Sequence, residues 1–170
     1  MSEWQNWQTA FLKQARSDWE AYQKTADSEW PYCHRLHYLQ MTTEKLSKAL
    51  LIDDDTNLES VMKSHAAFVK FFRIIANRRS LSRVLGTKKS QHRAQFKTFL
   101  PLVHEIELLA PALAQNSPNP EYPWKDASAK IVAPVDYPFP LAKRLRQTPQ
   151  GAQLLKYVEL FLNKFEELFM

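Results

Sequence analysis

Between Tyr32 and Leu51 the side chains Tyr32, Leu36, Leu39, Thr43, Leu46 and Leu50 recur in alternating steps of four and three. At the helical angle per residue these positions form one narrow stripe, so the segment predicts a helix built to be packed on. Cys33, His34, His37, Glu44, Lys45 and Lys48 fall on its other faces, with Glu44 four residues before Lys48 in the favourable order for a helical ion pair.

The same periodicity organises the rest of the chain. Residues 2–29 predict a first helix with Trp4, Trp7, Phe11, Ala15, Trp19, Tyr22 and Ala26 on one face. Asp18 falls inside that stripe, where a carboxylate must find a donor. Ser28 is a candidate cap, and Pro31 suits the first turn of the second helix, where its missing N–H is no loss. Asp53, Asp54 and Asp55 mark a helix junction. A third helix is expected over residues 56–77, with Leu58, Val61, Met62, Phe68, Val69, Phe72, Ile75 and Ala76 inward. His65 lies in the middle of that stripe, and Asp18 is its most attractive partner. Residues 77–91 lose the stripe and contain Gly86, which predicts a connection holding a short helical turn. A fourth helix starts near Ser90 and presents Phe96, Phe99, Leu100, Val103, Ile106, Ala110 and Leu113, with a bend or split expected near Pro101. Residues 115–147 are rich in proline and aromatic side chains and contain two similar tetrapeptides, Glu121-Tyr122-Pro123-Trp124 and Asp136-Tyr137-Pro138-Phe139. Ile131, Val132 and Ala133 between them predict a short extended segment. The aromatic residues Tyr122, Trp124, Tyr137 and Phe139 either plug the side of the bundle or present a binding surface. Thr148 caps a final helix that Pro149 opens, lined by Leu154, Val158, Phe161, Leu162, Phe165 and Leu168. The pattern predicts one all-α domain over residues 1–170, an antiparallel bundle of about five helices with a long proline- and aromatic-rich loop before the last.

Composition sharpens this picture in three places. With 45% hydrophobic residues, a chain of 170 residues can bury a single core. Only two glycines, Gly86 and Gly151, argue against Rossmann and P-loop readings, whose phosphate cradles need several residues without a Cβ. The single Cys33 cannot form an internal disulfide, the N-terminus lacks an apolar run after a basic start, and no stretch approaches transmembrane length. These features predict a cytoplasmic protein without membrane contact.

The net charge of +5 is unevenly spread. Residues 60–104 contain no Asp or Glu, yet they hold Lys63, Lys70, Arg73, Arg78, Arg79, Arg83, Lys88, Lys89, Arg93 and Lys97, and the remainder of the chain is net acidic. Such asymmetry is the footprint expected of a polyanion-binding surface; the alternative is a solvated face that neutralises acidic surface within the protein. Catalytic motifs are sparse. Cys33, His34 and His37 supply half a metal site at best, and neither a Glu-x-x-His pair nor a Gly-x-Ser-x-Gly elbow occurs, so no metal and no cofactor are expected.

The aromatic, Asp-containing first helix between Trp7 and Tyr22, the sequence TTEKLSKALL with Glu44-Lys45 and Lys48-Ala49, and His65 followed by Phe68 resemble the HEPN superfamily of helical bundles. The resemblance covers the first three helices and is weak over residues 115–147. It implies a protein that is one of three kinds: a metal-independent ribonuclease, a toxin paired with a small nucleotidyltransferase, or a non-catalytic binding module, commonly dimeric. Catalytic members carry an arginine, usually followed by a polar residue, and then a histidine after four to six intervening residues. Here the nearest pair is Arg83 and His92, with eight residues between them and Val84 in the polar position. The resemblance therefore implies a non-catalytic module for RNA, a nucleotide or a nucleotidyltransferase-type partner in a toxin-antitoxin or defence setting. Its binding residues would be Arg73, Arg78, Arg79, Arg83, Lys88, Lys89, Arg93 and Lys97. The alternatives are a ribonuclease with a remodelled Arg83/His92 site and a homodimeric scaffold whose basic and acidic surfaces satisfy each other.

Overall fold

Two long helices, α1 (Glu3–Ala26) and α2 (Tyr32–Leu51), form an antiparallel hairpin on which the other elements assemble. The computed structural model describes residues 2–26, 28–115 and 117–170, with Ala26 described by its backbone alone. The expected extension of the first helix to residue 29 crosses Asp27, and its stripe includes the Ala26 side chain; both lie outside the described residues. Pro31 sits at the N-cap of α2 and not in its first turn. Ser28 does not cap α2: its hydroxyl donates to the Thr25 carbonyl at 2.9 Å and accepts from Trp30 N at 3.3 Å, before the helix begins.

The third helix departs from expectation. It divides into α3 (Leu58–Lys63), capped by the Asn57 side chain, and α4 (Phe68–Asn77), with residues 64–67 between them. None of the residues of α3 is buried, and Met62 is exposed, so the inward placement of Leu58, Val61 and Met62 is corrected. The apolar period across 56–77 belongs to two helices with a phase break, and His65 falls in the break. Then come α5 (Arg79–Val84), α6 (Lys89–Glu107) and α7 (Pro111–Ala114). α6 continues unbroken through the exposed Pro101, so no split occurs there.

Residues 115–147 carry more structure than their composition suggests. Strand β1 (Trp124–Lys125) pairs antiparallel with β2 (Ile131–Val132), Trp124 opposite Val132, and a 3-10 turn spans Pro134–Asp136. α8 (Pro140–Gln147) lies in the part expected to be irregular, with Leu141, Ala142 and Leu145 buried. The last helix begins as expected, Thr148 Oγ1 accepting from Gly151 N at 3.0 Å with Pro149 opening it, but breaks at Lys164 into α9 (Pro149–Asn163) and α10 (Phe165–Phe169). The protein is all-α. Its five longest helices, α1, α2, α4, α6 and α9, correspond to the helices the periodicity predicts, and shorter helices join them.

The core has two centres. α2 contributes Leu36, Leu39 and Leu46, each at most 1% exposed, against α1 and the inner helices. The second centre is aromatic and joins α4, α6 and α9: the Phe72 ring lies 5.1 Å from Phe68, 5.6 Å from Phe96, 6.4 Å from Phe99 and 6.4 Å from Phe161. Trp124, Tyr137 and Phe139 make mutual edge contacts with Trp124 and Phe139 buried, so these rings plug the bundle's side, while Tyr122 stays exposed.

Candidate functional site

Two arrangements bring chemically active side chains together. The first lies where α2 meets α1 and α3. Asp18 projects from the packed face of α1 and pairs with Lys45 of α2 at 2.5 Å, while Gln14 Nε2, one turn earlier, donates to its other oxygen at 3.0 Å. One turn further along α2, Glu44 and Lys48 form the expected pair at 2.7 Å, but in the interior, with side chains only 11% and 5% exposed. Gln40 Nε2 donates to Glu44 at 2.7 Å, His65 Nδ1 lies 3.1 Å from the same oxygen, and Lys48 Nζ also donates to the Met62 carbonyl at 2.9 Å. Burial pushes the Glu44 carboxyl up, yet the hydrogen bonds from Lys48, His65 and Gln40, with the Lys48 charge, outweigh it and hold the group below its ordinary value. The structure therefore gives His65 to Glu44 and Asp18 to Lys45, correcting the expected Asp18–His65 pairing. Among the described residues no buried side-chain polar atom of this cluster lacks a partner, which describes a structural clasp between α1, α2 and α3.

The second arrangement is the basic segment. Arg73 projects from α4, Arg79 and Arg83 from α5, and Lys88, Lys89, Arg93 and Lys97 from the start and first turns of α6, all exposed. Among the described residues none of these side chains, nor Lys70, is ion-paired with a carboxylate. The segment's Lys63 pairs with Glu59 at 2.6 Å. Arg78 differs from the others: half-buried, it donates to the Phe169 carbonyl at 3.2 Å and lies 5.1 Å from that ring's centroid, which ties α5 to the C-terminal helix. Lys89, Arg93 and Lys97 recur every fourth residue and line one shallow groove with Ser90 and Ala94.

The structure separates the two catalytic candidates in character. Arg83 is exposed, whereas His92 is wholly buried, 4.3 Å from the Phe96 ring centroid, with Nε2 3.0 Å from the Ile75 carbonyl. Because a carbonyl only accepts, Nε2 carries the proton and fastens α6 to the end of α4. A ring so enclosed has no path to a substrate, so these two residues do not form a site. Cys33 is buried, His34 is exposed, and His37 lies 3.3 Å from Glu121 of the loop; among the described residues no group of three such side chains is placed to hold a metal ion. No helix of the described residues is long and apolar enough to cross a membrane.

The chain was compared with family models, curated proteins and solved structures. None of the three matches it. The site is therefore read from its own chemistry. Sequence reasoning missed Glu107, which is buried on α6 and accepts from Val69 N at 2.9 Å at the otherwise uncapped start of α4. An acid at a helix N-terminus is favourable, but this one lies 38 residues away, so no local cap signature could have revealed it. Gln40 was missed as well; its position between two apolar stripe residues was the available signal.

Proposed function

We propose that the protein is a non-catalytic, HEPN-like binding module that engages RNA, a nucleotide or a nucleotidyltransferase-type partner through the basic side chains of α4, α5 and α6, acting in the cytoplasm within a toxin-antitoxin or defence system. The observation that carries this reading is a run of Arg and Lys from Arg73 to Lys97, exposed except for the half-buried Arg78, that meets no carboxylate among the described residues. Unneutralised cations of one sign raise the local concentration of an anionic partner and are retained at little cost on a solvated face. The buried position of His92 favours binding over cleavage.

The test is RNA binding by the full chain across a salt series. Affinity should fall steeply as salt rises, because each phosphate contact releases counterions. Absent affinity, or affinity indifferent to salt, would remove the reading. The homodimeric scaffold would instead set these side chains against the net acidic remainder of a second copy. Light scattering at low and high salt separates the two: self-association that salt dissolves, without nucleic acid, is what the scaffold requires.

A further inference from the structure

We infer that the row of Lys89, Arg93 and Lys97 on α6 takes a nucleic-acid duplex, through its phosphates, in preference to a single strand. This rests on the polyanion reading above and narrows its ligand class. Single-strand binders combine a positive groove with aromatic platforms on which unpaired bases stack. The basic segment has five aromatic rings, Phe68, Phe71, Phe72, Phe96 and Phe99, and each is at most 1% exposed because all are consumed by the core between α4, α6 and α9. What the segment shows to solvent is charge on short polar surroundings, with Ile74 and Val84 as its exposed aliphatic side chains besides Met62. The α6 groove is built by Lys89, Ser90, Arg93, Ala94 and Lys97 from one helix alone, so it has no opposing wall to enclose a base.

Spacing points the same way. At a rise of about 1.5 Å per residue, Lys89 to Lys97 spans roughly 12 Å along α6. Over that length a duplex carries about seven phosphates and one strand about half as many, so a surface that gains only from phosphates gains more from the duplex. The three cations stem from one helix, fixed by His92, Phe96 and Phe99 on its inner face, so their attachment points are set in a row before the ligand arrives. A row so set suits a regular, stiff backbone and has little with which to hold a flexible one.

The full chain is titrated, by fluorescence anisotropy, with an RNA duplex and a DNA duplex of about 20 base pairs and an oligo-U of equal length, between roughly 0.05 and 0.2 M salt. Either duplex should bind at least about threefold tighter than oligo-U at equal salt, and Lys89→Gln, Arg93→Gln and Lys97→Gln should each lower the duplex salt slope by about 0.9. A smaller ratio, or tighter binding of oligo-U, overturns the duplex inference and leaves the polyanion reading standing. No binding of any of the three overturns the polyanion reading itself. Duplex binding unmoved in the variant that combines Lys89→Gln, Arg93→Gln and Lys97→Gln, its fold checked by circular dichroism, overturns the assignment to α6.

Discussion

Glu44 accepts from Lys48 and Gln40 and faces His65, and so ties α2 to the link between α3 and α4 with one carboxylate. Because its pKa is lowered in the folded protein, its contribution is fully present above the ordinary carboxylate value near 4.3 and is lost as pH falls through the lower folded value. The stability difference between the native chain and Glu44→Gln should therefore shrink on acidification below about pH 4, read from urea melts at stepped pH. A difference that stays constant down to pH 2 (~2 on the same scale) would count against the clasp. Lys45 is the second residue whose role the fold changes. Periodicity puts it away from the apolar stripe, where truncation costs little, but its ammonium neutralises Asp18, whose side chain is 11% exposed. Lys45→Ala should cost about 1–3 kcal/mol, since Asp18 keeps only Gln14 as a donor.

At the level of elements, the contact between α8 and α9 depends on one missing atom. A Cβ on Gly151 would lie 2.5 Å from the Arg144 carbonyl oxygen and 2.5 Å from Leu145 Cα, both backbone atoms that cannot step aside without moving α8. Thr148 caps α9 through the N–H of that same glycine, so the cap and the close approach share a residue. Gly151→Ala should destabilise by about 1–3 kcal/mol despite alanine's better helix propensity, and thermal melts would show the sign. An unchanged or raised melting temperature would mean that α8 is free to shift. The other glycine, Gly86, meets nothing within 4 Å but has φ +63°, so its constraint is the backbone of the turn after α5.

Across the whole molecule the two core centres make separable predictions. Leu39 and Leu46 are wholly enclosed on α2, and Leu39→Ala or Leu46→Ala should each cost about 2–5 kcal/mol. Phe72 sits among five other rings contributed by three helices, and Phe72→Ala should cost about 3–5 kcal/mol through a cavity those rings cannot collapse to fill. Urea midpoints measure all three. The same aromatic centre bears on function, because burying every phenylalanine of residues 60–104 leaves the outer surface to arginine and lysine.

The sequence by itself determined the all-α class, α2 almost to the residue, the start of α9 at Thr148 and Pro149, and the acid-free basic segment. Each of these is written locally, in apolar period, capping chemistry or charge count, which a linear reading can see. Tertiary structure alone decided the rest. A phase break hid between α3 and α4 because two short apolar patterns in sequence read as one long helix, and α8 lay within a proline-rich stretch whose helical period is only eight residues long. The partners that other elements give Asp18, His65, His92 and Glu107 stand between 17 and 38 residues away, so these pairings were set by the docking of helices. His92 shows the consequence: its spacing from Arg83 suggested a displaced catalytic pair, and the packing of α6 on α4 turned its ring into the core.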